Sequence, residues 1–354
     1  MSDKRVITAL SGGVDSSVAA KLIRDMGYEN AGIIMRLIGK NDPSLTSKDV
    51  EDAKAVAEKL GIDFFVCDFF DEFENCVINR FVLAYEQGLT PNPCIECNRY
   101  MKFGKLYEKA KELGYDYIAT GHYAKIERNE KGRYIVKKAE DKAKDQSYVL
   151  YCLTQEQLSH TILPLGSLTK AQIREIASQN GFINADKKDS QDICFVKDGD
   201  YAAFIKNYTG KEYPHGNYTD KNGKVLGEHK GIINYTIGQR KGLGIALGAP
   251  AFVLDKNTVD NTVVLGEEKE LYFKNVIVEN VNFVSVEGFE KPMRVMAKLR
   301  YRHAAQPAVA EQLGSNTVRL IFDEPQRAPT PGQSAVFYDE DILLGGGIIR
   351  GGEY

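Results

Sequence analysis

Short apolar runs alternate with amphipathic stretches over the first part of the chain. Residues 6–10 read as a strand; residues 16–26 then place Val18, Ala19, Leu22 and Ile23 at helical spacing, with Gly27 where a C-terminal cap belongs. Residues 33–37 predict a second strand, and 48–60 a second helix through Val50, Ala53, Val56, Ala57 and Leu60 before Gly61. Residues 64–67 and 117–120 predict a third and a fourth strand. Strands separated by amphipathic helices make a mostly parallel sheet with helices on both faces, and such sheets bind ligands at the loops following their strands. Beyond about residue 200 the pattern changes to β segments punctuated by glycine, from Gly210 to Gly248. From about Lys274 period-two alternation dominates and ends in strands at 335–338 and 343–349, which predicts a small barrel or sandwich. The expected divisions are 1–202, a doubly wound α/β domain; 203–273, a central, glycine-rich, mainly β domain; and 274–354, a β-barrel-like domain.

A length of 354 residues agrees with two or three domains, and 43% hydrophobic with 27% charged residues excludes a disordered or fibrous chain. No apolar run approaches the roughly 20 residues of a membrane helix. Residues 1–5 are charged and lead straight into a strand, unlike a signal or transit peptide, so a cytoplasmic location with no membrane partner is expected. Six cysteines, at 67, 76, 94, 97, 152 and 194, are too few and too uneven for a secreted disulfide framework. The net charge of −3 requires any nucleic-acid contact to use local basic patches.

The first strand runs through Ala9 and Leu10 into Ser11-Gly12-Gly13-Val14-Asp15-Ser16-Ser17 and directly into a helix. Two glycines let backbone amides approach phosphate oxygens, and the hydroxyls and helix start add donors and positive dipole. No Gly-Lys pair followed by Ser or Thr exists, so this is not a Walker A loop. A site that grips the pyrophosphate of ATP during attack at the α-phosphate fits better, with Asp15 a candidate to help hold Mg²⁺. An ordinary Ser-Gly-Gly turn is the bland alternative. The loop resembles the PP-loop ATP pyrophosphatase superfamily, whose SGGxDS motif stands here as residues 11–16; that resemblance implies adenylation and leaves the acceptor open.

Two more segments carry thiols. Thr90-Pro91-Asn92-Pro93-Cys94-Ile95-Glu96-Cys97-Asn98 reads as a proline-stiffened loop, and Asp189-Ser190-Gln191-Asp192-Ile193-Cys194-Phe195 holds a further cysteine. An exposed loop near a helix start can lower a thiol's pKa for sulfur chemistry. Cys94 and Cys97 otherwise make half a zinc site whose second half is missing. Cys67, Cys76 and Cys152 read as buried packing residues.

With Gly121-His122-Tyr123-Ala124, Lys144-Asp145-Gln146-Ser147-Tyr148, 236–244 and 336–348 added, the chain resembles the bacterial tRNA-specific 2-thiouridylases over essentially its whole length. That resemblance implies Cys97 as catalytic cysteine and Cys194 as the persulfide carrier; Cys94 holds a position where the family has Asp or Cys. It implies ATP contacts from Ala9, Leu10, Ser11, Gly12, Gly13, Val14, Asp15, Ser16, Met35 and Gly121. Asn92, Pro93 and Cys94 would face the target base. His122, Lys144, Asp145, Gln146, Arg300, Tyr301 and Gln333 would approach tRNA; from the residues alone, His122 serves as well in a core or a cap. The implied partners are tRNA, through its anticodon loop and wobble uridine, and a cysteine desulfurase or sulfur-relay protein as donor; the implied cosubstrate is ATP with Mg²⁺.

Between Lys291 and His303 there are five Lys or Arg residues and no acid. As one strand, Arg294, Lys298, Arg300 and Arg302 would form a basic stripe opposite Val295, Ala297, Leu299 and Tyr301, suited to tracking phosphates; a merely solvated face is the alternative. Residues 238–242 form a second basic turn, expected to be mobile. Two other readings stay open: a PP-loop ATP-dependent ligase, which gives the thiols no work, and an iron–sulfur-dependent tRNA thiolase or RNA-binding module using Cys94, Cys97 and Cys194 as ligands, which is not favoured.

Overall fold

The structure is a computed structural model; it describes residues 4–40, 44–187, 193–196 and 199–353, with 44–46 by backbone alone. Five parallel strands make the first sheet: β1 (Arg5–Ala9), β2 (Glu29–Arg36), β3 (Asp63–Asp68), β4 (Tyr117–Ala119) and, after the hairpin β5 (Ala124–Arg128) and β6 (Tyr134–Lys138), β7 (Thr161–Ile162). Their order is β3-β2-β1-β4-β7, so the winding reverses between β1 and β4. That reversal opens a crevice beyond the strand ends, where open α/β sheets take ligands. Helix α1 (Val14–Asp25) buries Val18, Ala19 and Ile23, and α2 (Ser44–Leu60) buries Ala53, Val56 and Ala57, the faces their periodicity predicts. Gly27 and Gly61 follow them at φ +83° and +65°, the left-handed backbone that ends a helix. Strand β2 begins four residues before the predicted start, because Glu29 and Asn30 pair with β1 despite their polarity; Asn30 lies close enough to bond Thr8 and the Ala20 carbonyl.

The residues between β3 and β4 form a helical block that the apolar pattern does not reveal, since two π-helical stretches, Glu74–Ile78 and Cys97–Lys105, break the 3.6-residue period. The expected thiol loop is therefore largely helix. Asn92 caps Pro93–Glu96 by accepting from the Cys94 amide at 3.2 Å, Pro93 takes the first helical position, and the chain continues into the π-helix from Cys97.

A four-stranded sheet follows, ordered β10-β11-β8-β9 from β8 (Gly216–Thr219), β9 (Val225–His229), β10 (Phe252–Asn257) and β11 (Thr262–Gly266). The last six strands are β12 (Tyr272–Phe283), β13 (Met293–Lys298), β14 (Gln306–Gly314), β15 (Thr317–Arg327), β16 (Ser334–Asp339) and β17 (Ile342–Glu353). They run β12-β15-β14-β13-β16-β17, and β17 pairs back onto β12, so the sheet closes as a barrel with no free edge. The start of β17 also pairs with β6, which extends the barrel sheet into a hairpin from the first part of the chain.

The basic strand is shorter than expected. It ends at Lys298, and residues 299–303 form bends and turns. Val295, Ala297 and Leu299 are buried as the alternation predicts, but Tyr301 is exposed. Arg294 is held by Asp323 through two bonds of 2.7 and 2.8 Å, and Arg300 turns inward to Thr330 Oγ1 at 2.8 Å. The continuous stripe therefore does not form: one cation is neutralised across the sheet and another is folded into the loop before β16. The turn at 238–242 is anchored, Gly238 N donating to Val253 O at 2.8 Å and Val253 N to Gln239 O at 2.9 Å.

The α/β part and the barrel meet through buried tyrosines. Tyr148 donates to Ser334 O at 2.8 Å, and Tyr151 shares a 2.9 Å bond with Ser334 Oγ. Tyr148→Phe leaves a buried carbonyl without that donor and is expected to cost about 1–3 kcal/mol. Thermal unfolding checks this; a melting temperature identical to wild type contradicts it.

Candidate active site

The site is built around the start of α1. Gly12 has φ +68°, and a Cβ there would stand 2.8 Å from the Asp49 carbonyl of α2. Gly121, just past β4, would place a Cβ 2.9 Å from both Asp15 C and Ser16 N. Only bare backbone fits at these two approaches, so α1 begins wedged between α2 and the end of β4. Hydroxyls brace the turn: Ser16 and Ser17 donate to Gly13 O at 2.9 and 3.0 Å, and Ser11 N donates to Ser16 Oγ at 3.1 Å. The first amides of α1 have no intrahelical acceptors, and the helix dipole adds positive potential beside them. Ala9 to Ser16 and Gly121 thus lie together, and Met35 lies at the neighbouring end of β2.

Asp15 does not present a free carboxylate. Lys170 donates to its two oxygens at 2.8 and 2.9 Å, and Tyr123 adds a 2.6 Å bond. Among the described residues no group of three His, Cys, Asp or Glu is set to hold a metal ion. Magnesium that accompanies ATP would therefore meet an Asp15 already paired with a cation. Lys170 escapes the sequence reading, although it begins a helix announced by a capping box, with Thr169 accepting from Gln172 N and Gln172 from Thr169 N. Asn184 and Lys187, also missed, donate to Gly12 O at 3.1 Å each, and Lys187 pairs with Asp49 and Asp52 of α2 at 2.8 and 2.9 Å.

The thiols gather beside this loop. Cys97 is buried in one apolar cluster with Met101, Phe195 and Val196, the last two immediately after Cys194, and Met35 packs against that cluster. All six cysteines are free; Cys94 and Cys194 are exposed, Cys152 is buried, and Cys67 and Cys76 are half-buried rather than fully packed. Contrary to the low-pKa expectation, burial pushes the Cys97 thiol up; Lys102 opposes that and Cys94 adds to it. Cys194 is also pushed up, first by the protein mass that displaces water from its sulfur and then by Cys97 and Cys94, with Lys102 opposing. Its exposed surface governs access and the upward direction governs protonation: a reagent can reach this thiol, which is neutral at pH 7. Residues 188–192, which complete the predicted Cys194 motif, lie outside the described residues.

His122 is buried, its Nδ1 2.8 Å from Thr120 Oγ1 and its ring 5.6 Å from Phe103. Loss of hydration, then Lys102, hold it well below its usual pKa, so it is neutral and inward-facing. Asp145 and Gln146 are committed to their own loop, Asp145 accepting from Ala139 N and Ser147 Oγ, and Gln146 from Tyr123 N. A seam joins the remaining predicted RNA residues: Tyr301 OH reaches Asp145 O at 3.4 Å, Lys144 lies one residue before Asp145, and Gln333 Nε2 donates to Thr90 O at 2.8 Å, just before Asn92, Pro93 and Cys94.

Residues 4–198 match the family described as tRNA methyl transferase HUP domain, 202–267 its PRC-barrel domain, and 273–349 the aminomethyltransferase β-barrel domain. The chain is 50% identical to the tRNA-specific 2-thiouridylase MnmA of Clostridioides difficile, over 98% of each chain. The chain belongs to the tRNA-specific 2-thiouridylase family. The thiouridylases of Acetivibrio thermocellus, at 50% identity over 99% of this chain and 100% of theirs, and Clostridium acetobutylicum, at 49% over 98% and 100%, are as similar. Among the described residues no helix is long and apolar enough to cross a membrane.

Gly12→Ala is expected to lower the unfolding temperature and weaken ATP binding about tenfold or more, because its Cβ meets α2 backbone at a positive φ. Gly13→Ala, whose Cβ would meet only Ser11 Oγ at 3.4 Å, should leave stability near wild type. Equal effects of the two on thermal unfolding would contradict the wedge.

Proposed function

We propose that this chain is a tRNA-uridine 2-sulfurtransferase whose nucleotide loop activates the wobble uridine and whose Cys194 and Cys97 carry and resolve the sulfur. The observation that carries the reading is the grouping of Cys97 and Cys194 with Cys94 and Lys102, at an apolar cluster against which Met35 of β2 packs. The names of the full-length relatives, each a tRNA-specific 2-thiouridylase, supply the acceptor.

The uridine 2-oxygen attacks the α-phosphate of ATP, and pyrophosphate leaves against the amides of residues 12–16. Carbon 2 is now an electrophile with AMP as its leaving group. The terminal sulfur of a Cys194 persulfide adds to carbon 2, and AMP departs with the former oxygen. Cys97 thiolate attacks the Cys194 sulfur; the S–S bond to the transferred atom breaks, leaving sulfur on the base and a Cys97–Cys194 disulfide, which two electrons from an external thiol then reset. Asn92, Pro93 and Cys94 face the extruded base, easily unstacked in a single-stranded loop. Tyr301, Gln333 and Lys144 approach the tRNA along the seam between the α/β part and the barrel, while buried His122 and half-buried Asp145 and Gln146 shape that seam from behind. The three segments 1–202, 203–273 and 274–354 divide this work, the first holding the chemistry and the last the tRNA. A cysteine desulfurase or relay protein loads Cys194 from its exposed side, and the whole cycle belongs in the cytoplasm.

With unmodified tRNA, ATP-Mg²⁺ and a desulfurase, nucleoside mass spectrometry should find 2-thiouridine from wild type and only background from Cys97→Ser and Cys194→Ser. If wild type yields no thiolated nucleoside, the ligase reading replaces this one.

A further inference from the structure

The helix that begins at Cys97 is π-helical over Cys97–Lys105, and the amide of Leu106 bonds Met101 O, five residues back. Such a turn lays residue i+5 above residue i, whereas an α-helical turn of about 3.6 residues would carry it well round the axis. Lys102 is five residues after Cys97 and so stands over it. Its neighbours fix the direction: Met101 is buried in the cluster that holds Cys97, Phe195 and Val196, and Phe103 packs on the His122 ring. Gly104, five residues after Arg99, eases the same turn, since a Cβ there would come 3.2 Å from the Arg99 carbonyl. Lys102 is half-buried, and among the described residues it has no carboxylate partner.

We propose that Lys102 is a positioning residue for the sulfur chemistry: its ammonium supplies the positive charge against which Cys97 and Cys194 bear negative sulfur. A half-buried cation with no carboxylate partner among the described residues is open to an anion, and here the groups beside it are those that become anionic during transfer. Its charge opposes the upward push on both thiols and adds to the burial that lowers His122, so it faces all three groups. The charged or titratable groups acting on Cys97 are Lys102 and Cys94, and those acting on Cys194 are Cys97, Cys94 and Lys102. Burial outweighs the ammonium at rest, keeping the thiols protonated; Lys102 lowers the cost of the moment when a proton has left to solvent. The inference rests on the thiol reading of the site, but its test needs neither tRNA nor ATP.

The full-length chain is alkylated with iodoacetamide across a pH series, and the rate at each cysteine is read by peptide mass spectrometry. Lys102→Met should move the profiles of Cys97 and Cys194 up by about one pH unit, roughly a tenfold slower reaction at a given pH below the thiol pKa, with Cys67 unmoved as the internal control. Lys102→Arg should restore the wild-type profile. Lys102→Gln replaces the Met variant should that one unfold early. Unchanged profiles in the folded neutral variant, or an Arg variant as slow as the neutral one, overturn the proposal. Should the profiles shift while wild type fails to thiolate tRNA, the Lys102 assignment stands and the function falls.

Discussion

At the point where the first sheet reverses its winding, three backbones meet without side chains between them. The Gly12 turn touches α2, and Gly121 lies on the first turn of α1, at the Asp15–Ser16 peptide. Because neither contact tolerates a Cβ, the open amides of α1, the end of β4 and the residues after it are held in one fixed arrangement. Everything chemical in the molecule is referred to that arrangement. His122 follows Gly121 and packs on Phe103, Phe103 follows Lys102, and the π-helix carries the line back to Cys97. The nucleotide loop and the thiols are thus connected through a short run of packed residues rather than through a flexible linker.

Electrostatics assign different states to the parts of this line. Asp15 is neutralised by Lys170 and steadied by Tyr123, so the mouth of α1 keeps its positive potential for phosphate. Burial holds the Cys97 and Cys194 thiols protonated, while Lys102 offsets part of that push. The barrel reaches the same neighbourhood from the other side: Thr90 N donates to Pro331 O at 2.9 Å and Gln333 returns a bond to Thr90 O, so the loop before β16 grips the chain just ahead of Asn92. A tRNA lying on the barrel would press on the segment that leads to the target base and the thiols.

Much of this was legible in the amino-acid order, for physical reasons. Strands β1 and β2 read as short apolar runs because they are buried on both faces, the first two helices follow simple periodicity because each buries one face, and the loop from Ser11 to Ser17 has Gly12 where no other residue fits. The closed barrel announces itself by alternation. The helical block around the thiols was hidden because π turns spoil the 3.6-residue pattern, so Cys97 looked like a loop residue and its burial was unforeseen. Arg294 and Arg300 looked like a stripe because Asp323 and Thr330, distant in sequence, are their partners in space. Lys170, Asn184 and Lys187 act at long range on the nucleotide loop, and only a capping box hinted at the first of them.

The proposed chemistry is decided by where sulfur sits before and after transfer. The direct measurement loads the chain with sulfur from a cysteine desulfurase, allows one turnover with tRNA and ATP, and maps alkylated peptides by mass spectrometry before and after. One extra sulfur is expected on Cys194 before turnover, and a Cys97–Cys194 disulfide afterwards in step with 2-thiouridine in the tRNA. Extra sulfur on another cysteine, or thiolated tRNA with both thiols still free in the absence of reductant, would contradict it.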